Sequence, residues 1–217
     1  MQKYTIFFNE AVLSIIIYDK NQLGDFQNNN DVIFEKNNFL EKKIRLFLEK
    51  RQSFSLYCLV NNIEKVWEYI KGFFIVEKAA GGIVLNNENK ILTIKRWGFL
   101  DFPKGHIEKN ESVEIAAIRE VEEETDIHNL HIVDKIDNTY HVFIKEKQFV
   151  LKETVWFYMK TVSTDSPMPQ IEENITEAYW FSMEEIDANI RFFYPSLQNL
   201  IVKLKNTIGK QRREIEK

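Results

Sequence analysis

Between Gly105 and Ile127 the chain reads GHIEKNESVEIAAIREVEEETDI, in which a glycine, a lone Glu111, an Arg119-Glu120 pair and a Glu123-Glu124 pair stand at fixed offsets. On a helix that turns about 100° per residue, with Glu120 at zero, Glu124 falls at roughly 40° and Glu123 at roughly 300°. Three carboxylates then share one stripe. Mg²⁺ takes oxygen ligands at about 2.0–2.1 Å, usually a few carboxylates together with substrate phosphates, so the stripe predicts a site for a hard cation and a pyrophosphate. Like charges one turn apart repel, and Arg119, four residues before Glu123, is placed to compensate and to reach back to Glu111. At Gly105 the missing Cβ lets a backbone carbonyl approach a metal or a phosphate. Ile115 and Ile118, on the opposite side, are expected to bury the helix's apolar edge, and the small Ala116 and Ala117 beside the carboxylates to leave room for a ligand.

A solvated surface helix would have a similar composition. What separates this stretch from one is the set of offsets, in a strand-loop-helix context. The pattern resembles the Nudix box, GX5EX7REUXEEXGU with U apolar, the signature of the Nudix hydrolase family. Every position is met except the last glycine, where Asp126 stands. That position ends the helix in a left-handed conformation, which Asp is among the few other residues to tolerate.

The resemblance covers roughly residues 76–205 and implies an α/β protein, a Nudix-type α/β/α sandwich with a mixed sheet. It implies a Mg²⁺-dependent hydrolase, with Mn²⁺ as a substitute, that cleaves a pyrophosphate linkage in a nucleoside diphosphate derivative. Glu120, Glu124 and the Gly105 carbonyl, with Glu123 nearby, would hold the metal. Glu111 and Arg119 would keep loop and helix in register, and the general base would come from Glu120 or from the region of Glu172, Glu173 and Glu177. The FPKG sequence around Lys104 is similar to a variant found in members that cleave dinucleoside polyphosphates or diphosphoinositol polyphosphates. Lys104, Lys95 and Arg96 are accordingly expected to contact substrate phosphate, favouring dinucleoside polyphosphates or nucleoside triphosphates over nucleotide sugars. The competing readings are a solvated loop lysine and strand-edge charges that block aggregation.

Trp97, Phe99 and Phe102 surround the same loop and would either stack a base or join the core. His106 has no assigned role, and His141 stays ambiguous. No Ser-His-Asp or Cys-His arrangement points to a covalent intermediate. Two readings from other classes remain: a non-enzymatic nucleotide sensor whose N-terminal domain contacts a partner, and an isomerase acting on isopentenyl diphosphate. An intact box argues against the first, and Cys58, outside the family region, weakens the second.

These residues need a scaffold, and 217 residues with 44% apolar and 13% aromatic content can supply one. The net charge of −4 lacks the basic footprint of a general nucleic-acid binder. The basic stretch from Lys203 to Lys217 reads as a solvated helix end. A single cysteine excludes an internal disulfide and fits a reducing compartment. The first twenty residues do not read as a secretion signal, and no apolar run approaches the roughly 20 residues that span a bilayer. A cytoplasmic location, a small-molecule nucleotide or polyphosphate partner and no membrane are the expectations; a homodimer stays open.

Strands are predicted over 3–8 and 12–18, an Asn-rich loop over 21–31, a helix over 38–50, a strand over 54–60 and a helix over 62–72. This ββαβα segment is expected to be a small α+β domain, residues 1–75, ahead of the Nudix domain, residues 76–217. In the latter, 73–86 reads as one long or bent strand in which Gly81-Gly82 marks a close backbone approach, followed by a strand over 90–96. Further strands are expected at 131–144, 150–162 and 176–181, a long loop at 163–174, and helices at 183–189 and 194–208.

Overall fold

The computed structural model describes residues 3–9, 11–17, 32–34, 37–50, 54–60 and 62–215. The chain forms two compact units, residues 1–77 with 140–152, and residues 78–139 with 153–217. The first unit is therefore not a purely N-terminal segment.

In the first unit, β1 (Lys3–Phe8) and β2 (Ala11–Ile17) form an antiparallel hairpin, and β4 (Phe54–Val60) runs parallel to both β2 and β3 (Val32–Phe34). The strand β3 has no counterpart in the sequence prediction, and the expected loop at 21–31 lies outside the described residues. Among the described residues the unit also contains two helices, α1 (Asn37–Lys50) and α2 (Ile63–Lys71). Asn62 caps α2 by accepting a hydrogen bond from the Lys65 N–H. The long strand β9 (His131–Lys145) enters the unit at Tyr140, where Ile6 of β1 pairs with it in parallel. A common core then gathers Ile6, Leu13, Ile44, Phe47, Trp67, Val142 and Leu151. Tyr4 stacks on Trp67 at 4.4 Å between ring centroids.

In the second unit the strand order is β11 (Ile175–Phe181), β6 (Ile91–Arg96), β5 (Ile75–Leu85), β10 (Gln148–Lys160), β9. Two short strands that sequence periodicity did not reveal, β7 (Phe99–Asp101) and β8 (Lys104–His106), pair with β6 and β5. The alternation of side chains along each strand makes two apolar faces. Ile83, Ile91, Trp156 and Tyr158 point to a layer shared with α4 (Met183–Ala188) and α5 (Pro195–Ile215). Ala80, Val84, Leu92, Phe157 and Met159 point the other way, to α3 (Val113–Thr125).

Of the two isoleucines expected to bury the apolar edge of α3, Ile118 packs partly buried against the core and Ile115 does not. Ile115 is 61% exposed, whereas Ala116, Ala117 and Val121 are fully buried. The small side chains do not clear room for a ligand; they let the helix lie close to the strand backbone. At Gly82 an added Cβ would meet Val121 at 2.8 Å and the Met159 sulfur at 2.7 Å. At Gly81 it would meet the Pro103 carbonyl and Lys104 Cβ, both at 2.5 Å, so the glycine pair does mark a close approach, to β8 on one side and α3 on the other. Close packing of this helix carries its acidic stripe to the sheet as well. Among the described residues no helix is long and apolar enough to cross a membrane.

Candidate active site

The acidic helix is held at both ends. Ser112 caps its N-terminus by accepting from the Ile115 N–H at 3.2 Å, and Asp126 ends it at φ 57°, ψ 21°, the left-handed geometry expected of the residue that replaces the glycine. Beyond the cap, the loop after β10 returns to the helix: the Met168 and Gln170 N–H groups donate to the Thr125 and Glu124 carbonyls at 2.8 and 3.2 Å. These bonds satisfy carbonyls that a helix end leaves without partners. They also place Glu173, on the following short 3₁₀ turn (Ile171–Glu173), beside the site.

Arg119 organises the carboxylates. Its Nε and Nη2 donate to the two oxygens of Glu111 at 2.8 and 2.9 Å, and Nη1 donates to Glu120 at 2.8 Å and to Glu123 at 2.9 Å. Nη2 also reaches the His106 carbonyl at 2.9 Å, tying the helix to the loop that follows Gly105. The bidentate geometry is available to Arg and not to Lys. It holds the Glu111 carboxyl down to a pKa of about 2, helped by the Glu108 N–H.

Glu120 leans on Gly105 so closely that a Cβ there would lie 1.8 Å from its Oε2. Burial raises the Glu120 pKa against the pull of Arg119, and Glu123 and Glu173 add to the rise. Glu124 is 1% exposed. Its Oε2 accepts from the Lys104 backbone N–H at 2.9 Å and its Oε1 from Arg96 Nη1 at 3.2 Å. Burial pushes its pKa up to about 7 despite those partners.

The three cations expected at substrate phosphates each have a carboxylate partner. Lys95 meets Glu177 at 2.7 Å, Arg96 bridges Glu124 and Glu173, the latter at 2.7 Å, and the Lys104 ammonium bonds the buried Asp101. Asp101 was not singled out in sequence, where one acid in FLDF gives no spacing to read. Of the aromatics, Phe102 is buried in the core, while Trp97 and Phe99 stand exposed. His106 contributes its backbone carbonyl.

Among the described residues, no three His, Cys, Asp or Glu side chains converge as they would around an ion. Arg119 and Arg96 occupy the space between the carboxylates. The donor set nevertheless fits a hard divalent cation: Glu120, Glu123, Glu124 and the Gly105 carbonyl offer oxygen only, and Glu120 and Glu124 are desolvated enough for their pKa values to rise despite the neighbouring cations.

Removing the Arg119 clamp should be felt in both fold and pH response. Because the Glu111 pKa is depressed in the fold, its contribution to stability is present above the ordinary value of 4.5 and lost as pH falls toward about 2. Arg119→Ala is expected to lower Tm by several degrees at pH 7 and to flatten the acid limb of a Tm-against-pH plot. An unchanged acid limb would show that the pair does not stabilise the fold.

A mixed sheet with helices on both faces, and a loop-helix edge that concentrates carboxylates, is the architecture of a Nudix domain. The NUDIX domain family model matches residues 76–201, more than half of the chain, and the chain belongs to that family. It is 28% identical over 125 residues to an RNA pyrophosphohydrolase of Pelagibacter ubique (strain HTCC1062), covering 51% of this chain and 79% of the relative. Its fold is similar to that of a Caenorhabditis elegans Ap4A hydrolase solved as a binary complex, with a TM-score of 0.50 and 20% identity over 62% of this chain and 98% of the other.

Proposed function

We propose that this protein uses Mg²⁺, with Mn²⁺ as a substitute, to hydrolyse a pyrophosphate linkage in a nucleoside diphosphate derivative. The observation that carries the reading is the seating of the Glu120 carboxylate against Gly105 while Arg119 ties Glu120 to Glu111 and to the loop. Glu120, Glu123, Glu124 and the Gly105 carbonyl would hold the metal, which when bound acidifies water and offsets charge developing on phosphoryl oxygens. Arg119 and Glu111 keep the carboxylates aimed at one place, so little reorganisation accompanies the reaction. Water attacks phosphorus, and its proton passes to a carboxylate. The carboxylate is Glu120 itself or Glu173, whose charge reaches Glu120; Glu173 is held by Arg96 as Glu177 is by Lys95, and a phosphate that takes up Arg96 would release it.

Lys95, Arg96 and Lys104 form the phosphate-binding set. A dinucleoside polyphosphate or nucleoside triphosphate supplies the anionic oxygens to exchange for Glu177, Glu173 and Asp101, which is why such substrates are preferred over nucleotide sugars. The name of the Pelagibacter relative adds RNA to the panel of compounds to be tested, beside dinucleoside polyphosphates, nucleoside triphosphates, nucleotide sugars and ADP-ribose. The N-terminal segment, together with residues 140–152, acts as an α+β unit distinct from the Nudix α/β/α sandwich, in a cytoplasmic protein.

The test is chromatographic product analysis of the purified protein with and without Mg²⁺. Nucleotide products are expected with the metal and none in chelator; full activity in chelator would rule out the metal mechanism. If a nucleotide sugar or ADP-ribose is cleaved fastest, the preference for longer phosphate chains fails and the hydrolase reading stands.

A further inference from the structure

The turn that joins β6 to β7 is built against its own local preferences. Arg96 and Phe99 are paired across the hairpin, which leaves a two-residue loop of Trp97 and Gly98 with φ of 50° and 83°. Two positive φ values define a type I′ turn, in which Asn-Gly is the favoured pair. A bulky residue in the left-handed region is a genuine outlier, and such strain persists where the surrounding structure or function requires it. Nor does the indole gain burial in return, since Trp97 is 64% exposed. Neither backbone geometry nor the core accounts for a tryptophan at this position.

Its surroundings do. The Arg96 guanidinium lies 4.7 Å from the centroid of the Trp97 ring, and the same guanidinium binds Glu124 and Glu173 of the acidic site. On the other side of the turn, Phe99 is 47% exposed and stacks on Tyr194 at 4.8 Å with 29° between the planes. Tyr194 is brought there by the parallel bridge between Leu100 and Phe193. Two exposed rings thus stand at the rim of the carboxylate cluster, one of them a single guanidinium away from Glu124.

We propose that Trp97, flanked by Phe99, is the stacking platform for the nucleobase of the nucleotide whose phosphates occupy the acidic site. The inference rests on the reading above that this site binds a nucleotide. Stacking uses a face that every base possesses, and no donor or acceptor on the platform reads a base edge, so the recognition is tolerant of base identity. Arg96 carries the contact from ring to phosphate: its plane stays on the indole while its N–H groups exchange a carboxylate for a phosphate oxygen.

The test is calorimetric titration, with Mg²⁺ present, of AMP and of ribose 5-phosphate, which has the same phosphate and no base. Wild type is expected to bind AMP at least about fivefold more tightly, as one stacked base provides. Trp97→Asn installs the preferred turn residue, so it should abolish that preference while its Tm is no lower than that of wild type. Trp97→Phe should keep most of the preference. Equal affinity of wild type for the two ligands, binding of neither, or a preference that survives in Trp97→Asn would overturn the proposal. A clear fall in Tm for Trp97→Asn would also overturn it, by making the indole a structural side chain. None of these measurements uses turnover, so a protein that hydrolyses the panel but ignores the base loses only the platform. One that prefers AMP yet hydrolyses nothing loses only the hydrolase reading.

Discussion

Glu124→Gln is expected to lower kcat by more than about tenfold, which corresponds to over 1.4 kcal/mol of transition-state stabilisation, while the circular dichroism spectrum stays the same. The substitution is nearly isosteric, and the amide oxygen can still accept from the Lys104 N–H. What disappears is a charge. Burial raises the Glu124 pKa from the ordinary 4.5 to about 7, so the native state binds an additional proton between those values. A fold that binds more protons than the unfolded chain loses stability as pH rises through that window. The glutamine variant, free of this penalty, should therefore show a smaller fall in Tm between pH 5 and pH 8. Retention of more than about a tenth of wild-type kcat would remove Glu124 from the set of functional carboxylates.

Gly105→Ala should be comparably damaging for a steric reason. A Cβ at this position would lie 1.8, 2.2 and 2.5 Å from the three terminal atoms of Glu120, distances no pair of non-bonded atoms sustains. The obstacle is the far end of a flexible side chain, so the fold can absorb the methyl group by turning Glu120 away. Folding should survive, and kcat should fall by about 10²-fold or more, because a catalytic group displaced by about 1 Å forfeits its positioning. Gly105→Ala with wild-type kcat would mean that the seating of Glu120 on the loop has no part in catalysis. A double substitution with Glu120→Gln separates position from charge: if both act on the same carboxylate, the combined loss should be well short of additive.

Much of this site is legible in the residues themselves. The offsets from Gly105 through Glu111 and Arg119 to Glu124 belong to one loop and one helix, so local geometry alone brings them onto one edge. The Arg119–Glu111 pair and the left-handed Asp126 cap follow for the same reason. The fold class followed from the resemblance of these offsets to the Nudix signature, and most strands and helices could be placed because alternating apolar runs and helical periods are local signals. Strands β7 and β8 could not, since three residues are too few for a period to register.

The sequence by itself therefore determined the local constellation of this protein: a run of carboxylates on one edge of a Nudix helix, with the arginine that keeps it in order. Only the tertiary structure decided the surroundings of that edge. The angular stripe places Ile115 where a core residue was expected, yet close packing of Ala116, Ala117 and Val121 on the sheet turns Ile115 to solvent and buries Glu124. Likewise, a count of lysines and arginines cannot disclose that Lys95, Arg96 and Lys104 lie against Glu177, Glu173 and Asp101, pairs whose partners are up to 82 residues apart or sit inside an apolar run. The physical reason is common to both. Periodicity reports which residues share a face of one element, whereas burial and charge pairing depend on which other element that face meets.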